Sequence, residues 1–200
     1  MRVIGGSAKG RRLHSLPGES TRPTLDRIKE SIFNMIQLYV LDAKVLDLFA
    51  GSGALGIEAL SRGAAECCFV DGQRDSIQVI SDNLAKTKLT AGSSVLSMDY
   101  QRALTTFKGQ GKTFDLIFLD PPYKKGLAGE ALRLIEKEDL LSPRGLIIVE
   151  QDHRETLTTS EEQYLLWKEK KYGNTIIRIL KKNPESSPGG GSVEKRNLSR

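Results

Sequence analysis

The chain has 200 residues, 38% of them hydrophobic and 28% charged, which is enough for one domain with a sizeable core and little more. No run of about eighteen apolar residues occurs and Met1–Gly6 lacks the apolar stretch of a secretory signal, so the sequence predicts a cytoplasmic protein with no membrane partner. The net charge of +5 sits at the two ends, +4 over residues 1–22 and +3 over residues 181–200, leaving −2 in between.

Residues 2–13, rich in Gly5, Gly6 and Gly10, predict a short strand, a glycine turn and a second strand. So few apolar residues are available that this hairpin must lean on the main domain. That would hold Arg2, Lys9, Arg11 and Arg12 beside the ligand face, as an electrostatic footprint for a polyanion. The basic C-terminal end reads instead as a solvated terminus. After Thr21-Arg22-Pro23-Thr24 a helix is predicted, capped by Thr24 with Asp26 in its first turn. Leu25, Ile28, Ile32, Met35 or Ile36, and Tyr39 share one face at helical spacing, and Arg22, Arg27 and Lys29 fall off it.

From Val45 the pattern alternates. Strands are predicted near 45–49, 65–71, 94–98, 114–119 and 145–150, with helices near 55–62, 74–87, 100–107 and 127–138. Such alternation means a parallel sheet covered on both faces, with ligands at the carboxyl ends of the strands. Asp47, Asp71, Asp99 and Asp120 each fall at or near the end of a different strand, an arrangement that asks for a ligand with several donors. Cys67 and Cys68 are neighbours in one strand and point to opposite faces, so both are predicted to be reduced core residues. His14 and His153 stand isolated, and no metal site is predicted. Residues 163–168 and 175–180 read as two strands joined through Lys170–Asn174, an antiparallel pair at one sheet edge. From about residue 183 the glycine- and serine-rich tail predicts disorder. The organisation expected is a basic extension over 1–22, one α/β domain over 23–182 and a tail over 183–200.

Two motifs carry chemistry. Gly51, Gly53 and Gly56 satisfy a G-x-G-x-x-G spacing between a strand and a helix, with Asp71 twenty residues beyond Gly51 where a ribose-binding acid belongs. That pattern suits a nicotinamide dinucleotide or another adenosine-containing cofactor. Asp47, just ahead of the glycines, would repel a pyrophosphate and welcome an ammonium and a sulfonium, which favours S-adenosylmethionine. Asp99 is placed either to accept from an adenine amine, with Met98 packed on the ring, or to cap the following helix. The second motif is Asp120-Pro121-Pro122-Tyr123, directly after the apolar strand. Neither proline can donate a ladder hydrogen bond, so the segment either ends a strand in a turn or holds a carboxylate, a free carbonyl and a ring at the sheet's mouth. Those three groups fit a flat base with an exocyclic amine.

Asp47-Leu48-Phe49-Ala50-Gly51-Ser52-Gly53 together with Asp120–Tyr123 resembles the class I S-adenosylmethionine-dependent methyltransferases that modify amino groups of bases. Val3-Ile4-Gly5-Gly6, Lys9-Gly10-Arg11, Thr21–Thr24 with Asp26-Arg27, and the late Tyr172-Gly173 resemble the bacterial RsmD family, from residue 2 to about residue 181. The resemblance implies a Rossmann-like, seven-stranded, mostly parallel sheet with an antiparallel last pair, and methylation of N2 of a guanine in small-subunit ribosomal RNA, free or in a partly assembled particle. It implies Asp120, Pro121, Pro122 and Tyr123 as catalytic residues. It adds Phe49, Arg22 and Thr24 to the cofactor-binding residues Asp47, Gly51, Gly53, Asp71, Met98 and Asp99, and Arg27 to the RNA-binding ones. Asp71-Gly72-Gln73 departs from the family, where glutamate often stands first, and the glycine–serine tail has no counterpart. An adenine-N6 methyltransferase, a nicotinamide-dependent oxidoreductase and a non-catalytic RNA-binding protein are the competing readings.

Overall fold

A computed structural model of the protein describes residues 1–16, 23–122, 126–157 and 163–186, with the backbone alone for residues 23–25 and 186. Seven strands form one sheet: β1 (Lys44–Asp47), β2 (Glu66–Asp71), β3 (Ser93–Ser97), β4 (Phe114–Leu119), β5 (Leu141–Asp152), β6 (Tyr164–Tyr172) and β7 (Thr175–Lys182), in the spatial order β3-β2-β1-β4-β5-β7-β6. The first five run parallel, and β7 pairs antiparallel with both β5 and β6. The chain order reverses between β1 and β4, and a crevice opens at such a switch point outside the carboxyl ends of the strands. Strands buried on both faces need apolar residues at every position. Alternation then divides each run between two cores, with Val45, Cys67, Phe69, Phe118 and Ile148 on one face and Leu46, Cys68, Val70, Ile117 and Val149 on the other.

Helices α1 (Pro23–Met35), α2 (Ala54–Ser61) and α3 (Arg74–Thr87) cover the first face; α4 (Tyr100–Gly109) and α5 (Leu127–Lys137) cover the second. Helix α1 opens at Pro23, not after a Thr24 cap, because proline lacks the N–H that the first turn cannot bond and already has a helical φ. It stops at Met35, and Tyr39 belongs to a separate 3-10 turn that turns its ring edge-on to Trp167 of β6. Lys29 is the larger correction. Expected off the apolar face, it is 3% exposed, with its ammonium against Glu58 of α2.

The N-terminal arm leans on the domain, but its ladder is a single bridge between Arg2 and Arg12. Val3, Ala8 and Leu13 enter the first core; Val3 N–H donates to the Arg11 carbonyl, Gly10 N–H to the Val3 carbonyl and Leu13 N–H to the Met1 carbonyl, while the turn between them bonds α2. Ser7 N–H donates to the Ser61 carbonyl, Ala8 N–H to the Ser61 hydroxyl, and that hydroxyl donates to the Gly5 carbonyl. A Cβ on Gly6, whose φ is +75°, would stand 1.7 Å from the Ser61 carbonyl oxygen, so only glycine allows this docking.

Strand β6 runs through Lys170 and Lys171 to Tyr172, leaving a two-residue turn at Gly173-Asn174 where a longer connection was expected. The turn's Gly173 has φ +58°, as tight hairpin turns require. A single 3-10 turn at Pro184–Ser186 follows β7, and residues 187–200 of the predicted tail lie outside the described residues. No helix among the described residues is long and apolar enough to cross a membrane.

Candidate active site

The ligand edge is built from the ends of β1, β2, β4 and β5. Between β1 and α2, Gly51 and Gly53 take φ values of 53° and 76°, which folds the loop tightly enough for Gly53 to precede the first turn of α2. Asp71, at the end of β2, pins this loop: its Oδ2 accepts from Gly51 N–H at 2.9 Å and its Oδ1 from Gln73 N–H at 2.8 Å. The expected ribose ligand therefore also shapes the glycine turn. Phe49 is half-buried, its ring 5.2 Å from that of Tyr100.

Asp47 is 2% exposed and accepts from Gly56 N–H at 2.9 Å, inside the first turn of α2. Burial pushes its carboxyl up to about 7, against the pull of the Gly56 N–H and with repulsion from Asp120 and Asp71 adding to the rise. A buried acid so placed gains from any cation brought beside it. The donor set thus fits a ligand with an adenosine and a positively charged group.

On the next strand Asp120 is exposed, Pro121 is buried and Pro122 is exposed; Tyr123 lies outside the described residues. Glu150, at the end of β5, escaped the sequence reading. It is 9% exposed, and burial first, then Asp120, raises its carboxyl well above the usual carboxylate range. A glutamate ending an apolar strand beside the strand that carries Asp120 was the available signal. Asp47, Asp120 and Glu150 line one open cleft, together with Phe49, Ser52 and Lys29. Ile28 and Ile32 of α1 and Met1 of the arm also line it.

The remaining predicted residues are placed as follows. Asp99 caps α4, its Oδ1 accepting from Gln101 N–H at 2.8 Å and Arg102 N–H at 3.3 Å. Met98 is half-buried against the second core and donates its N–H to the Asp71 carbonyl. Thr24 is in the first turn of α1 with its side chain outside the description, and Arg22 lies outside the described residues. Arg2 pairs with Asp26 at 3.2 Å, and Arg11 Nη1 donates to the Lys86 carbonyl at 3.1 Å; Lys9, Arg12 and Arg27 are exposed. Arg2, Lys9, Arg11 and Arg12 are not among the residues lining the cleft. Helix α2 runs back from the ligand edge, about 12 Å for its eight residues, and Gly6 docks at its far end. Met1 lines the cleft and Arg2 pairs with Asp26 of α1, whereas Arg11 bonds the Lys86 carbonyl on the flank formed by α3.

One junction reaches the cleft only through Lys29 and is fully paired. Glu58 is 0% exposed and accepts from Ile4 N–H, Gly5 N–H and Arg62 Nε at 2.8 Å each, and faces Lys29 Nζ at 3.3 Å. Lys29 Nζ also donates to the Arg2 carbonyl at 2.5 Å. Burial lowers the Lys29 ammonium from its ordinary value, with Glu58 offsetting part of that cost.

Comparison with known proteins adds an independent line. A family model described as "Conserved hypothetical protein 95" matches residues 1–181. YlbH of Bacillus subtilis, a candidate rRNA methyltransferase, is 45% identical over 182 residues, covering 91% of this chain and 99% of that protein. Ribosomal RNA small subunit methyltransferase D of Escherichia coli is 35% identical over 185 residues, covering 92% of this chain and 91% of that protein. The solved structure of the Escherichia coli methyltransferase candidate yhhF superposes with a TM-score of 0.81 at 35% identity, over 91% of this chain and 97% of that one.

Proposed function

Since this chain belongs to the RsmD family, an S-adenosylmethionine-dependent methyltransferase family, we propose that it methylates the exocyclic N2 amine of a guanine in small-subunit ribosomal RNA. The observation that carries this reading is the single cleft in which Asp47, beside the glycine loop, and Asp120, followed by two prolines, face the same space. Asp47, the Gly51–Gly53 turn and Asp71 would hold the cofactor, with Phe49, Met98 and Asp99 toward its adenine and Arg22 and Thr24 toward its other end. Bound there, S-adenosylmethionine supplies an electrophilic methyl group on a sulfonium.

Guanine N2 is a poor nucleophile because its lone pair is delocalised into the ring. Asp120 and the Pro121 carbonyl would each accept one of its N–H bonds, turning nitrogen toward tetrahedral geometry with the lone pair free. Positive charge then grows on nitrogen next to a fixed carboxylate, which stabilises that charge as it develops. Orienting both reactants in one cleft removes most of the entropic barrier to their meeting. Asp120 takes the released proton, directly or through water. Tyr123 is the ring expected to stack on the base, worth about 1–3 kcal/mol as in other base–aromatic contacts. A base within a duplex cannot reach such a cleft, so the target is unpaired or flipped out. Arg2, Lys9, Arg11, Arg12 and Arg27 contribute phosphate contacts, and a cytoplasmic location follows from that substrate.

Methyl-labelled S-adenosylmethionine, offered with naked small-subunit rRNA, partly assembled small subunits or DNA and followed by nucleoside digestion, tests this. Label in N2-methylguanosine is the expected result, and the substrate that takes it up identifies the form recognised. Label in N6-methyladenine would keep the chemistry and overturn the guanine assignment.

A further inference from the structure

We propose that Glu150 determines base specificity by accepting the N1–H of the target guanine beside Asp120. The inference rests on the guanine-N2 reading above and adds a residue to it. Leu119 of β4 and Val149 of β5 are paired in register, so Asp120 and Glu150 are the next positions on adjacent strands, about 4.8 Å apart. Alternation from Phe118 and Ile148 turns both toward the face covered by α1, and both line the cleft there. Among the described residues Glu150 receives no hydrogen bond or ion pair, although it is nine-tenths buried. A carboxylate taken out of water without a donor is costly, and native structures keep such a group where a ligand supplies the donor. Burial first, then the Asp120 carboxyl beside it, raises its proton affinity.

Guanine presents two adjacent donors on one edge, N1–H and N2–H. Adenine presents N6–H beside a bare N1 acceptor. With Asp120 on the amine, a carboxylate one strand over meets the N1–H of guanine but the N1 lone pair of adenine. Two acceptors side by side therefore select the base with two donors side by side. A site built to bond a substrate N–H rejects an analogue lacking it far more strongly than a merely apolar pocket would.

The test uses the full chain and the guanine that carries label in the assay above, replaced in the same RNA by 2-aminopurine, which keeps the N2 amine and lacks the N1–H. Wild-type protein is expected to favour guanine by about 100-fold or more in kcat/KM. Glu150→Gln, whose amide can donate to N1, is expected to narrow that preference to less than about 10-fold, with cofactor affinity changed by no more than about twofold. Glu150→Asp, which keeps the carboxylate, is expected to lower the rate and retain the preference. Equal loss on both bases in Glu150→Gln, or an unchanged ratio, overturns the role of Glu150 while leaving guanine methylation standing. Absence of N2-methylguanosine from the wild-type reaction removes the guanine reading, and this inference with it.

Discussion

Glu58 and Glu150 are both buried glutamates on the same side of the sheet, and their surroundings are opposite. Glu58 meets four donors, two of them backbone N–H groups of the arm and two from Lys29 and Arg62. Glu150 meets none among the described residues and lines the cleft beside Asp120. The first arrangement spends the lone pairs on holding both the arm and α1 to α2. The second leaves a desolvated carboxylate turned toward open space. Burial alone does not separate architecture from function in this molecule; the donors around the buried acid do.

The contrast breaks most sharply at Asp120. Asp120→Ala should lower the methyl-transfer rate by about 100-fold or more, the usual cost of removing a group that stabilises transition-state charge. Cofactor affinity, read by calorimetry, should change little; loss of both together would count against placing Asp120 on the amine. At the other pole, Glu58→Ala leaves the Lys29 ammonium buried without its carboxylate. A loss of about 3–5 kcal/mol in denaturant unfolding is expected, against a small change for Glu150→Ala. A near-neutral Glu58→Ala would mean that the junction relaxes and the arm is held elsewhere.

Asp47 lies between these extremes, with one backbone donor and a carboxyl at about 7. An acid whose pKa is raised on folding binds its proton more tightly in the folded state. Its contribution to stability is therefore greatest below its unfolded value, 3.8, and is lost as pH rises to about 7. Asp47→Asn should flatten that part of the stability profile. The cationic cofactor asks for the ionised form, so its affinity should climb with pH, up to about tenfold per unit, and level off above 7. Binding below that point should release a proton, visible as a buffer-dependent calorimetric heat. Asp47→Asn should show neither effect.

The smallest expected change is on the flank. Arg12 is exposed, so Arg12→Ala should weaken RNA binding about uniformly and lower the slope of log affinity against log salt by roughly one. An unchanged slope would remove the arm from the RNA track.

Much of the fold was legible in the linear chain. Apolar runs such as Phe114–Leu119, bounded by breakers, read as buried strands, and Gly51 and Gly53 mark the tight turn ahead of α2. The edges were less legible. Helix α1 was read too far because its apolar stripe continues through Ile36 and Tyr39 into a different turn. Lys29 was assigned to solvent since a charged residue off the stripe ordinarily stays there. Its partner, Glu58, is twenty-nine positions away in sequence, and no local pattern announces the pair.

The sequence by itself determined the alternation of strands and helices, the glycine turn, the Asp120–Tyr123 motif and the basic ends. Each of these is set by local sterics, by side-chain periodicity or by composition. Tertiary structure alone decided which acids share a cleft, that Glu150 stands beside Asp120 without a donor among the described residues, and that the arm's glycines dock at the far end of α2. The physical reason is desolvation. Whether a carboxylate is stabilised by donors or left waiting for a ligand depends on neighbours that strand pairing and helix direction bring together, and those neighbours are distant in the chain.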